Sequence, residues 1–179
     1  MCRIHDRDSR VSVLPEMISQ KAKYAFKALA HLAGVEAGAS VQIEEIASKS
    51  AVPRKFLEHI LLDLKRNGVV ASRRGRAGGY LLIKPPAEIT IGQILRAIDG
   101  PIAPLPCVSR TAYRRCSDCS DETTCVVRKL FADTYAATLL LLDGTTLAEA
   151  IRNRDAVPPS ATAAAPATAS RETIPALLG

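Results

Sequence analysis

Apolar residues recur at intervals of three and four along most of the chain and gather into two short runs flanking a glycine cluster in one region. Ser19 is placed to cap the first helical stretch, whose stripe is Ala22, Ala25, Phe26, Leu29, Leu32 and Ala33. This predicts a helix to about Ala37, ended by Gly38. A short helix over about Ile43 to Lys49 turns Ile46 and Ala47 inward. A tight turn follows. Pro53 suits the first position of a third helix, where a missing N–H costs nothing. Leu57, Ile60, Leu61 and Leu64 give that helix its apolar face, Lys65 and Arg66 suit its C-terminal dipole, and Gly68 suits a left-handed cap. Two helices joined in this way form a helix-turn-helix, locked by Ile46, Ala47, Val52, Leu57 and Ile60.

Val69 to Arg74 and Tyr80 to Ile83 read as a hairpin, with Gly75, Gly78 and Gly79 supplying its tip. Thr90 with Gln93 opens another short helix, stapled by Ile89 and Ile94 and closed by Gly100. Val126 to about Leu142 is a longer helix with the stripe Val127, Leu130, Phe131, Tyr135 and Leu139. Leu139 to Leu142 is apolar all round, which calls for a partner helix. Thr146 and Glu149 form a capping box for a last helix. The 25 residues from Asp155 to Gly179 hold eight Ala and four Pro and read as a disordered tail. The expected fold is therefore mainly α with a small β-hairpin wing: a winged helix-turn-helix plus a long dimerisation helix. The expected parts are 1–16, an extension or misplaced start; 17–86, the winged helix-turn-helix; 87–104, a short helix and connector; 105–125, a cysteine-rich segment; 126–154, the dimerisation helix and last short helix; and 155–179, the tail.

Composition narrows the classes. Hydrophobic residues make up 47% of the 179, enough for a core, but aromatics are only 4% with no Trp, so that core must be aliphatic. The longest apolar run, Tyr135 to Leu142, is far below the roughly 18 residues of a membrane span. Met1 to Arg10 is polar, without the apolar centre of an export signal, so the expected location is the cytoplasm. There, five Cys are expected as thiols or metal ligands rather than disulfides. The net charge of +6 has one address. Pro53 to Lys84 holds eight basic and two acidic residues, so the rest of the chain sums to zero. A solvated basic face would look the same on charge alone. Placed on a recognition helix and wing, the charge points to a nucleic-acid backbone.

Candidate DNA-contacting residues are Arg54, Lys55, Glu58 and His59 at the start of the third helix, and Arg73, Arg74 and Arg76 on the wing. Glu58 could accept from cytosine N4 or simply screen neighbouring charge. His59 reads as a phosphate neighbour or solvated residue rather than a metal ligand, and His31 as structural. Cys107, Cys116, Cys119 and Cys125 are spaced C-x8-C-x2-C-x5-C. Four thiolates suit an iron–sulfur cluster or a tetrahedral zinc, and a metal-free redox thiol set stays open. Arg110, Arg114 and Arg115 are expected to lower nearby thiol pKa values. The Gly75 to Gly79 loop lacks the order of a nucleotide loop, and no nucleophile–base or paired-carboxylate arrangement points to an enzyme.

Three runs together resemble the Rrf-two (Rrf2) family of bacterial winged-helix regulators, which includes IscR, NsrR and CymR. They are Ile18 to Ala25; Phe56-Leu57-Glu58 with Leu64 to Val70; and the wing Arg74-Gly75-Arg76-Ala77-Gly78-Gly79-Tyr80. The resemblance spans Met17 to about Arg152. It implies a homodimer on a pseudo-palindromic operator, with DNA affinity tuned by a ligand state at the cysteines, and it ranks iron–sulfur ahead of zinc. It also implies departures. Arg128 stands where IscR has a cluster-ligating His, and Lys23 where NsrR has a carboxylate, whereas a fourth Cys is present here. The remaining alternatives are a winged-helix regulator with structural zinc or no metal that acts through a protein partner, one in sulfur or cysteine metabolism included, and a small redox or electron-carrying protein.

Overall fold

The computed structural model describes residues 18–75, 78–117, 119 and 121–153. The expected N-terminal extension, the Ala/Pro-rich tail and Arg76 lie outside the described residues. The element order is α1 (Gln20–Ala33), α2 (Ile43–Ser50), α3 (Arg54–Arg66), β1 (Val70–Arg73), β2 (Gly79–Leu82), α4 (Ile91–Asp99), α5 (Val126–Gly144) and α6 (Leu147–Arg152). Short 3₁₀ turns at Pro86–Glu88 and Pro106–Val108 interrupt the connections. The fold is mainly helical with one antiparallel hairpin, as the pattern predicts.

Helix α1 starts where expected, because the Ser19 hydroxyl accepts the Ala22 N–H at 3.0 Å. It ends four residues earlier than Ala37. The Gly34 N–H turns back to the His31 carbonyl at 3.1 Å and the Val35 N–H to the Leu32 carbonyl at 3.4 Å, tightening the last turn. Pro53 also shifts by one place. It caps α3 rather than opening it, its carbonyl taking the Phe56 and Leu57 N–H groups. The apolar face of α3 is as predicted, with Leu57, Ile60, Leu61 and Leu64 all fully buried. Each such side chain contributes about 1.5–3 kcal/mol relative to exposure. They join Ala22, Ala25, Ala28, Leu29 and Leu32 of α1, Ile46 of α2, Ile94, Leu95 and Ile98 of α4, and Leu147 of α6 in one core.

The hairpin pairs Val70 with Leu82 and Arg73 with Gly79. It is also anchored from outside: Val41 and Tyr80 exchange N–H···O bonds of 2.9 and 2.8 Å. That approach needs glycine at position 79, where a Cβ would stand 2.3 Å from the Val41 carbonyl oxygen. Both capping threonines act as predicted. Thr90 accepts from the Gln93 N–H, and Thr146 and Glu149 complete a reciprocal box. Helix α5 packs on α4, where Arg96 of α4 pairs with Asp143 of α5. Gly92 makes room for that carboxylate. Of the apolar residues on α5, only Tyr135 and Leu139 are buried. Val126, Val127, Leu130, Leu140 and Leu141 are exposed, the last two at 77% and 71%.

Candidate nucleic-acid interface and cysteine site

The outer face of α3 carries Arg54, Lys55, Glu58 and His59, all exposed as predicted. Their side chains are not independent. The Arg54 guanidinium reaches Glu44 of α2 at 2.7 Å and Glu58 one turn along α3 at 3.1 Å. Arg54 thus spans the two helices of the helix-turn-helix and braces Glu58. The His59 Nδ1 lies 2.9 Å from the Lys55 carbonyl, so that nitrogen carries the proton and donates inward along the helix. One residue escapes sequence reasoning. Phe56 lies off the apolar stripe of α3, yet it is 61% exposed among the basic side chains. Tyr24 of α1 meets its ring edge-on at 6.1 Å between centroids. An aromatic residue beside the apolar stripe, next to Arg54 and Lys55 in the first turn of the recognition helix, was the available signal.

The wing is fastened to the same unit. Lys65 at the end of α3 donates to the Ser72 hydroxyl of β1 at 2.7 Å. The Arg73 guanidinium donates to the Gly38 carbonyl at 3.0 Å, and Arg74 beside it is exposed. Gly78 lets the returning strand pass, since a Cβ there would meet the Arg73 carbonyl oxygen at 2.5 Å. The described basic residues of 53–84 therefore sit on one continuous piece of structure, helix then hairpin. That arrangement can hold phosphates on two sides of a groove.

The cysteines come from three segments. Cys107 is buried on the Pro106–Val108 turn, Cys116 and Cys119 lie in the irregular stretch after it, and Cys125 caps α5. The Cys119 and Cys125 sulfurs are 3.8 Å apart. The Cys116 thiol is pushed up to about 11, chiefly by its hydrogen bond with Cys107, then by burial, then by the negative charge Cys107 and Cys119 would carry. The expected lowering by nearby arginines does not occur at Cys116. Sulfur neighbours dominate there, and the Arg115 guanidinium is instead directed to the Cys119 carbonyl at 3.4 Å.

Arg128 takes a strut's position. Its backbone N–H donates to the Cys125 sulfur at 3.4 Å, and its Nε donates to the Cys107 carbonyl at 3.4 Å. Its Nη1 lies 3.7 Å from the Glu122 carboxylate. Tyr113 also donates to that carboxylate, which raises the Tyr113 pKa. These groups border a cavity of about 440 Å³ lined by Cys107, Cys125, Tyr113, Glu122 and Arg128 among others. The donor chemistry fits a thiophilic group: four sulfurs in successive contact, one at a helix N-terminus where negative charge is favoured. They form a chain of neighbours, and among the described residues no three His, Cys, Asp or Glu side chains converge as a metal site.

Residues 18–153 match the Rrf2 family, described as an iron-dependent transcriptional regulator. The chain belongs to the Rrf2 family. It is 56% identical over 134 residues to an rrf2-like HTH-type transcriptional regulator of Rhodobacter capsulatus, covering 73% of this chain and 89% of that one. It is 29% identical to the transcriptional regulator IscR of Serratia proteamaculans, over 77% of this chain and 80% of the relative. Among solved structures it is similar to CymR, the global cysteine regulator of B. subtilis, at 30% identity and a TM-score of 0.61, covering 75% of this chain and 95% of that one. T. potens IscR follows at 25% identity and a TM-score of 0.59, over 79% and 90%. The helical fold with its hairpin is thus the winged helix of a DNA-binding transcriptional regulator. These Rrf2 relatives are regulators rather than enzymes. Among the described residues no helix is long and apolar enough to cross a membrane.

Proposed function

We propose that this Rrf2 protein is a cytoplasmic homodimer that binds a pseudo-palindromic DNA operator, with its affinity tuned at Cys107, Cys116, Cys119 and Cys125 by an iron–sulfur cluster or by their thiol state. The observation that carries this reading is the position of Cys125. It caps α5, the helix whose exposed apolar residues need a partner. The candidate sensor and the candidate dimer face thus share one rigid element. Two copies joined along α5 would present two recognition helices to successive major grooves. Arg54, Lys55, Glu58, His59, Arg73, Arg74 and Arg76 are the proposed DNA contacts. Glu58, braced by Arg54, is the proposed base reader, and the cations bind phosphate.

When bound, a cluster supplies a centre sensitive to oxygen and redox state. This chain's own part is to hold the thiolates and transmit their arrangement. Arg128 does the second, linking the first turn of α5 to Cys107 and Glu122. Arg128 is not the fourth ligand; Cys is proposed in all four positions. IscR among the relatives and the iron-dependent family description support iron over other metals.

One observation favours a second reading. Thiolates on a single tetrahedral ion with bonds of about 2.3 Å stand about 3.8 Å apart. The Cys119–Cys125 spacing matches that edge, as a structural zinc would require.

Protein purified without oxygen should be coloured, carry iron and sulfide, and change its affinity for a selected operator duplex when the cluster is removed. A colourless protein with stoichiometric zinc overturns cluster sensing and leaves the second reading. A protein with neither metal, whose DNA affinity changes only with thiol oxidation, leaves the thiol form. Absence of salt-dependent DNA binding would leave an interaction module working through a protein partner, of sulfur or cysteine metabolism for instance, or a redox carrier.

A further inference from the structure

A second cavity lies away from the cysteines, where α1, the end of α2 and α6 meet. It encloses about 630 Å³ and shares no lining residue with the cysteine cavity. Ligand sites typically span about 300–1,000 Å³. Its apolar wall is Phe26, Val35, Leu147 and Ile151. Its charged lining residues are Lys27 and Lys49, with His31 beside them, and no Asp or Glu lines it. Among the described residues neither lysine has a carboxylate within ion-pair distance. The Lys27 ammonium stands 6.0 Å from the Tyr24 ring centroid, a weak substitute for an anion. The nearby acid, Glu45, faces His31 instead: its carboxylate is 3.5 Å from a buried Nε2 that has no hydrogen-bond partner.

We propose that this cavity binds a small amphipathic anion, a monocarboxylate with a hydrocarbon body. The carboxylate is taken by the Lys27 and Lys49 ammonium groups, and the hydrocarbon covers Leu147 and Ile151. Both features are needed. An inorganic anion would leave the apolar wall wet, and a neutral hydrocarbon would gain nothing from the two exposed ammonium groups at the rim. Lys49 lies in the last turn of the first helix of the helix-turn-helix, while Leu147 and Ile151 belong to the helix that follows α5. An occupant therefore ties the DNA-reading unit to the end of the long helix. Any change it makes in DNA affinity must be matched by an equal change in its own affinity when DNA is bound. Binding itself does not depend on the cysteine site or on cluster loading.

The test uses the full chain and octanoate as the probe, with octanol and octylamine as controls, read by amide NMR. Octanoate should shift the amides of Ala30, Gly34, Lys49 and Ala150 saturably, more strongly than octanol, and octylamine should not bind. Lys49→Gln should weaken octanoate about threefold and Lys27→Gln with Lys49→Gln about tenfold, while Lys49→Arg retains it. The same spectra report whether each variant is folded. Equal binding of octanol, unchanged affinity in the double variant, shifts elsewhere in the protein, or no saturable binding at millimolar octanoate each overturn the proposal.

Discussion

Replacing Gly79 by Ala should detach the wing while leaving the helical core folded. A Cβ at this position would stand 2.3 Å from the Val41 carbonyl oxygen and 2.5 Å from its carbon, both backbone atoms that cannot swing away. Gly79 also has a φ of 153°, a conformation that side chains rarely adopt. Relief requires the hairpin to lift from Val41, breaking the paired hydrogen bonds of 2.9 and 2.8 Å between Val41 and Tyr80. Two bonds at about 1 kcal/mol each, plus backbone strain of about 1–2 kcal/mol, predict a loss of about 3–4 kcal/mol. For a domain of this size that is a fall of roughly 10 °C in Tm. Gly75→Ala is the control: its φ is also positive, at 103°, but a Cβ there meets nothing within 4 Å. It should cost only the strain, about 1 kcal/mol. Circular dichroism melts give the stabilities, and fluorescence anisotropy with an operator duplex gives the DNA affinity. Gly79→Ala should lose both, and more of each than Gly75→Ala. Equal losses in the two variants would refute the Val41 contact as the cause.

Three further outcomes follow from the interface and caps. Lys55→Ala should weaken DNA binding evenly across sequences and lower the salt slope by about one unit, whereas Glu58→Ala should relax selectivity at one base position by about 1–3 kcal/mol; selection on randomised duplexes separates them. Leu140→Arg alters a side chain that is 77% exposed, so the melting of the isolated fold should barely move while sedimentation reports a monomer; a persisting dimer would remove α5 as the interface. The Glu149 carboxyl is held below its ordinary value by the Thr146 N–H and hydroxyl. Its contribution to α6 is therefore present above the usual carboxylate range and lost as pH falls through the lowered value. Amide exchange in α6 should quicken in acid, and Glu149→Gln should abolish that dependence.

Local rules carried much of the architecture. The aliphatic stripe of α3 and the capping threonines of α4 and α6 follow from spacing within one turn, so they are readable without knowing any neighbour. The end of α1 differs from the pattern because Gly34 and Gly38 are equivalent to local sequence; carbonyls of the last turn select the first. The stripe on α5 reads as apolar and its end as needing a partner helix; within one chain only Tyr135 and Leu139 find cover. Periodicity reveals that a face is apolar and says nothing of what lies opposite. The cysteines were legible as a set, not as a geometry. Their order along the chain does not reveal that Cys125 caps a helix, that Cys116 is the thiol pushed up by its sulfur neighbours, or that Arg128 braces the site.

The sequence by itself determined the helix-turn-helix, the wing, the placement of the whole +6 charge on them, and membership of a recognisable family. These depend on contacts a few residues apart and on charge, which adds up wherever it sits. Only the tertiary structure decided that Arg54 braces Glu58 against α2, that Phe56 stands exposed beside Tyr24, and that Gly79 passes over Val41. It also formed the cavity where α1, the end of α2 and α6 meet, lined by Lys27, Lys49 and Leu147. Each joins residues far apart in the chain, and short-range pattern carries no information about which distant segment will lie a few ångströms away.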